Sequence, residues 1–159
     1  MKSLIIKGTS NEGKSTTVRE LCKSLNPEGI WKLEMDTSSY SESLLVESEL
    51  SNIFNNTFVI QINGQLVLVC AGAPTEQSIK ITVIIDICLE IGLKIKFAIV
   101  SMRSSERKKG FDTPTELENI SEFLKIERIH KIKVDNFMES QEWKNRIENL
   151  KNYILSEIK

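Results

Sequence analysis

Apolar positions recur along the chain with two periods, and the switch from one to the other marks out the elements. Residues 4–7 begin with Leu4, Ile5 and Ile6, a nearly continuous apolar run that predicts a central parallel strand covered on both faces. Val18, Leu21, Cys22 and Leu25 are spaced as one face of a helix over residues 14–25, which stops where Asn26-Pro27-Glu28-Gly29 cannot continue it. Residues 30–35 then alternate Ile30, Lys32 and Glu34 against Trp31, Leu33 and Met35, a half-buried strand with the polar exit Asp36-Thr37-Ser38-Ser39. Between residues 41 and 55 the spacing of Leu44, Leu45, Leu50, Ile53 and Phe54 is irregular and permits a helix or an ordered loop.

Two apolar runs, residues 58–62 and 66–70, flank Asn63-Gly64, which supplies the positive φ angles of a two-residue hairpin turn. Residues 75–91 read as a broadly apolar helix closed by Gly92, and residues 94–100 as a further strand. A basic loop over residues 101–110 follows, carrying Arg103, Arg107, Lys108 and Lys109. Thr113-Pro114-Thr115-Glu116 fits a capping box with proline at the first helical position, and Leu117, Ile120, Phe123 and Leu124 supply that helix with a buried stripe. Residues 128–134 alternate as an edge strand, and Trp143, Ile147, Leu150, Ile154 and Ile158 mark a C-terminal helix. Without repeats, low-complexity tracts or linkers, this order predicts a single α/β domain over residues 1–159. Its expected architecture is a three-layer α/β/α open sheet, mostly parallel with one antiparallel hairpin arm, and with the site at the carboxyl ends of the strands.

Composition narrows the partners. A chain of 159 residues buries roughly two thirds of its unfolded surface in one core. Its net charge of −1 gives no general attraction to nucleic acid or to an anionic membrane, so any polyanion binding has to be local. Cys22, Cys70 and Cys88 lie in apolar segments without CxxC spacing and read as reduced core residues, not metal ligands. The chain enters its first strand without a long apolar leader, and Lys80, Asp86 and Glu90 interrupt the longest later apolar stretch. A cytoplasmic protein without membrane spans is therefore expected.

Between the first strand and the first helix stands Gly8-Thr9-Ser10-Asn11-Glu12-Gly13-Lys14-Ser15-Thr16, which reads as GxxxxGK[ST] with a further threonine. Strand, glycine-rich turn and helix together predict a phosphate cradle. Gly8 and Gly13 let the backbone turn tightly and aim successive N–H groups at an anion. Lys14 adds a mobile charge for β- and γ-phosphates, Ser15 offers a hydroxyl to Mg²⁺, and Thr16 lies in the first helical turn, where negative charge is favoured. The bland reading is a glycine-rich turn that binds nothing.

In these residues the chain resembles the P-loop NTPase superfamily, with its Walker A motif at residues 8–15. The resemblance implies the P-loop NTPase fold and a nucleoside triphosphate, ATP or GTP, bound with Mg²⁺. Partitioning-type ATPases carry a signature lysine where this chain has Thr9. Ras-like and translation-factor GTPases carry a DxxG aspartate, which falls here on Val69, and an NKxD motif that this chain lacks. Small-molecule and nucleotide kinases are similar in their polar exit from the second strand, here Asp36-Thr37-Ser38, and in a basic lid, here residues 103–109. Many have glycine where this chain has Asn11.

The family's Walker B carboxylate normally ends a hydrophobic strand, yet residues 66–70 end in Cys70. Asp86 follows Val83, Ile84 and Ile85, but a strand there would leave too short a crossover to residues 94–100, so Asp86 reads as helical. Asp36 is the better candidate for Mg²⁺ or a substrate hydroxyl, with a turn cap as its alternative. Arg103 and Arg107 are candidates to close over a transferred phosphoryl group, against a plain solvated loop. His130, the sole histidine, reads as structural or exposed, and Asp135-Asn136 is placed to line a base pocket. Trp31 and Trp143 fit core faces. The expected function is Mg²⁺-dependent triphosphate binding with phosphoryl transfer or hydrolysis, using a small-molecule acceptor or water. The alternative is a nucleotide-dependent switch with little turnover, which answers to a regulatory protein.

Overall fold

The computed structural model describes residues 1–9 and 13–159. Seven strands form one mixed sheet: β1 (Lys2–Lys7), β2 (Gly29–Glu34), β3 (Leu44–Glu47), β4 (Thr57–Ile62), β5 (Gln65–Cys70), β6 (Ile95–Met102) and β7 (Phe123–Arg128), in the order β3-β2-β4-β5-β6-β1-β7. The helices are α1 (Lys14–Ser24), α2 (Pro74–Gln77), α3 (Ile81–Glu90), α4 (Thr113–Ile120) and α5 (Gln141–Glu157). Alternation along β1 sends Leu4 and Ile6 to one face, where Val18 and Leu21 of α1 and Leu150 and Ile154 of α5 cover them. Ile5 points to the other, with Ile84 and Ile87 of α3 and Leu117 of α4. The sheet is thus a middle layer between two helical ones. Among the described residues no helix is long and apolar enough to cross a membrane.

The hairpin lies where Asn63-Gly64 puts it, with φ of 50° and 74° at the two turn residues and six paired positions between β4 and β5. Several features depart from the expectation. The sheet is parallel over β5, β6, β1 and β7 but antiparallel over β3, β2, β4 and β5, so the antiparallel part is a half, not one arm. Residues 41–55 add β3 to that half, because the irregular spacing conceals a four-residue edge strand with Leu44 and Val46 exposed. β1 is buried on both faces as a parallel strand should be, but it lies second from the edge and not at the centre.

The other departures concern helix ends. The segment expected as one helix over residues 75–91 breaks into α2 and α3 at Ser78, which takes a left-handed φ of 58°. Gln77 fixes the break: its amide donates to the Gly72 carbonyl at 2.7 Å and accepts from Thr57 Oγ1 at 3.1 Å, tying α2 to the ends of β4 and β5. α4 begins at the cap Asp112, which accepts from Thr115 N at 3.2 Å while Glu116 accepts from Asp112 N at 3.0 Å, so proline is second in the helix. That helix ends at Ile120, and Phe123 and Leu124 belong to β7 instead of its stripe. Ser121 bonds Ser3 at 2.6 Å and Glu122 N donates to the Met1 carbonyl at 2.9 Å, which draws the chain into parallel pairing with β1. The edge strand is therefore residues 123–128, and from the expected 128–134 only Arg128 is in it.

Candidate functional site

β1 delivers Gly8 to the carboxyl end of the sheet, where its N–H extends the ladder to the Met102 carbonyl at 3.1 Å. Gly8 is buried and Thr9 exposed; Ser10, Asn11 and Glu12, assigned above to the cradle, lie outside the described residues. The chain re-enters at Gly13 with φ 85°, a conformation that glycine adopts without a Cβ penalty, and turns directly into α1. The first intrahelical bond is Thr17 N to the Gly13 carbonyl at 2.8 Å, so the N–H groups of Lys14, Ser15 and Thr16 precede the helical ladder and mark its positive end. Lys14 is 5% exposed, whereas Ser15 and Thr16 are half-buried.

Facing this turn are α2 and the end of β6. Pro74 starts α2 from extended Ala73, and Ser78 ends it one turn later, which projects Glu76 back toward α1. Glu76 Oε1 lies 3.9 Å from Lys14 Nζ and 3.1 Å from Arg103 Nε. Together with Ser15, Thr16 and Asn55 these three line a cavity of about 360 Å³. Its donor set combines a helix N-terminus, two cations and the hydroxyls of Ser15, Thr16 and Ser101 against one carboxylate, which suits an anion with several oxygens. Among the described residues no three His, Cys, Asp or Glu side chains converge as metal ligands. A Mg²⁺ ion here would take a hydroxyl, one carboxylate, phosphate oxygens and water, as that ion commonly does.

Arg107 is exposed and lines an adjoining cavity of about 600 Å³ that shares Glu76 and Arg103 with the first. Asp36 shares the carboxyl edge of the sheet but does not line this cavity. β4, β5 and β6 separate its strand from β1, about 19 Å at the usual strand spacing. Its carboxylate caps its own turn, accepting from Ser38 N and Ser39 N at 2.9 Å each. Asp86 is an exposed residue of α3, and His130, Asp135 and Asn136 are exposed too. Trp143 is buried, with Phe137 edge-on at 5.2 Å between ring centroids. The three cysteines are free and buried, and burial pushes each thiol up to about 12, which removes them as nucleophiles at neutral pH.

Two residues at the site carried no sequence signal. Glu76 lies beyond the end of the strand where an acid was sought, and the single turn of α2 between Pro74 and Ser78 places it beside Lys14. Arg146 comes from α5, donating to Thr17 Oγ1 at 3.3 Å and to the His130 carbonyl, and stacking on Trp143 at 5.5 Å. It clamps the C-terminal helix to the first turns of α1. The chain matches no known protein family, no curated protein and no solved structure, so its chemistry is read from its own residues.

Proposed function

We propose that this is a P-loop protein that binds a nucleoside triphosphate, ATP or GTP, through residues 8–16 and transfers or hydrolyses its terminal phosphoryl group. The observation that carries the reading is a nearly buried lysine in the first turn of a helix that starts from a left-handed glycine, facing a cavity with an arginine on its far wall. Lys14 and the N–H groups of α1 would hold the β- and γ-phosphates, and Arg103 would meet charge that develops on the transferred group. Ser15 and Glu76 suit a Mg²⁺ ion, which when bound neutralises phosphate charge and orients the terminal group. Thr16 would reach an α-phosphate oxygen from the first turn.

A second reading, a switch with little turnover of its own, is favoured by Cys70 at the end of β5, where an acid would hold a metal-bound water. Titration with a fluorescent ATP analogue tests the binding reading. Lys14→Met, which keeps the volume and loses the charge, should weaken affinity at least about 100-fold; unchanged affinity would sink the proposal. Product release with and without pooled phosphate acceptors then separates a kinase-like transferase, a hydrolase and a switch.

A further inference from the structure

The cavity of about 600 Å³ beside the Lys14 site has its own chemistry. Arg103, Arg107 and Lys108 supply its charge, and Thr9, Thr75, Ser104 and Ser105 its hydroxyls. No aromatic or aliphatic residue lines it among the described residues, so none of these side chains stacks on a base or covers an apolar ligand. Thr75 Oγ1 and Ser104 Oγ are withdrawn from solvent without a hydrogen-bond partner among the described residues, which is uncommon for buried hydroxyls.

The loop that carries the cations is tied down. Glu106, its one acid, is turned away: its two carboxylate oxygens accept from Thr113 N at 2.7 Å and Thr113 Oγ1 at 2.6 Å. Lys108 Nζ donates to Ser78 Oγ at 2.8 Å, which spans the break between α2 and α3. Glu76, the only carboxylate on the described wall, is committed to Arg103 and Lys14. A triphosphate in the first cavity would engage Lys14 and Arg103, which leaves Arg107 and Lys108 to match about two negative charges. A phosphate monoester carries that charge near neutral pH.

We infer that this second cavity binds the phosphoryl acceptor, a small hydroxylated phosphate monoester. The role of acceptor rests on the triphosphate reading above; the anion site itself does not. In the transfer, an acceptor hydroxyl oxygen forms the new bond to the γ-phosphorus, and the bond from that phosphorus to the β–γ bridging oxygen breaks. The nucleoside diphosphate leaves with that oxygen, and the hydroxyl proton passes to water. The products are a doubly phosphorylated acceptor and the diphosphate.

Calorimetric titration of glycerol 3-phosphate into the full chain tests this, with glycerol as the uncharged control. Saturable binding is expected, with a dissociation constant on the order of 1 mM or tighter. It should persist when the protein is loaded with Mg²⁺ and a non-hydrolysable ATP analogue. The double variant Arg107→Gln, Lys108→Gln should weaken it at least about tenfold. Both side chains are exposed, so the core is untouched by the change. Lys14→Met, designed to abolish nucleotide binding, should keep ester affinity within about threefold. Absence of saturable binding, indifference to the double variant, loss in Lys14→Met, or equal binding of glycerol would each overturn the site. Ester binding that follows these expectations in a protein that fails to bind ATP would uphold the site and overturn the triphosphate reading alone.

Discussion

The Glu76 carboxylate lies 3.9 Å from the ammonium of the buried Lys14, and a further contact of 3.1 Å joins it to Arg103. One internal anion thus occupies the ground between two cations that an incoming phosphate would need. On the proposed reading, a triphosphate without metal would have to compete with that carboxylate, whereas a Mg²⁺ complex could use it. In Glu76→Gln, metal-free ATP should therefore bind more tightly, by about fivefold, the upper range for a partly exposed ion pair. The affinity gained by adding Mg²⁺ should shrink at the same time. Titrations in EDTA and in Mg²⁺ measure both, and unchanged metal-free affinity would show that Glu76 is no counter-ion to the site.

Gly72 is needed for packing and not for its torsion. A Cβ at this position would overlap the backbone carbonyl of Asn55, which belongs to the wall of the Lys14 cavity. Its N–H also donates to the Asn56 carbonyl at 3.2 Å. Gly72→Ala should cost about 1–3 kcal/mol by forcing these backbones apart. Gly64→Ala, with no atom near the added methyl but a φ of 74°, should cost about 1–2 kcal/mol through backbone strain alone. Urea midpoints compare the two, and only Gly72→Ala should also weaken ATP binding.

The features legible in the sequence were those fixed by local chemistry. Asn63-Gly64 fixed a hairpin, and Gly13-Lys14 a turn into a helix, because each needs only its own residues. Features that depend on distant partners were hidden. Phe123 and Leu124 continue the helical spacing of Leu117 and Ile120 as well as a strand alternation; pairing of Ser121 and Glu122 with the start of β1 decides between them. Asp36 and Glu76 show the same limit at the site. Asp36 follows a strand exit, as a site acid would, but the strand order carries it away, while Glu76 has no motif and is brought in by the single turn of α2.

Glu106 holds the basic loop by capping the start of α4 through Thr113 N and Oγ1. Its charge also lies at the favourable end of that helix. Glu106→Ala should lower stability by about 1–2 kcal/mol, comparable to loss of a helix cap. The stronger readout is local: limited trypsin digestion should cut at Arg107, Lys108 or Lys109 faster than in the parent protein. Equal cleavage rates would mean that the Lys108–Ser78 contact alone holds the loop.

The buried thiols set an alkaline limit on stability. Burial raises Cys22, Cys70 and Cys88 from 9.0 to about 12; at Cys70 the neighbouring Cys88 adds to burial and the Thr57 hydroxyl opposes it. Below pH 9 both folded and unfolded chains keep these thiols protonated, so their contribution is fully retained. Between 9 and 12 only the unfolded chain ionises and therefore binds fewer protons, so stability falls as pH rises. The limiting slope is about 1.4 kcal/mol per pH unit for each thiol. Urea unfolding at pH 7, 9 and 10.5 should show the loss beginning above 9, with a smaller loss in Cys22→Val because one ionising group is gone. The same burial predicts that a disulfide reagent labels none of the three thiols in the folded protein at pH 8 and all three in urea. Rapid labelling of the folded chain, or an alkaline slope unchanged by Cys22→Val, would contradict the assignment.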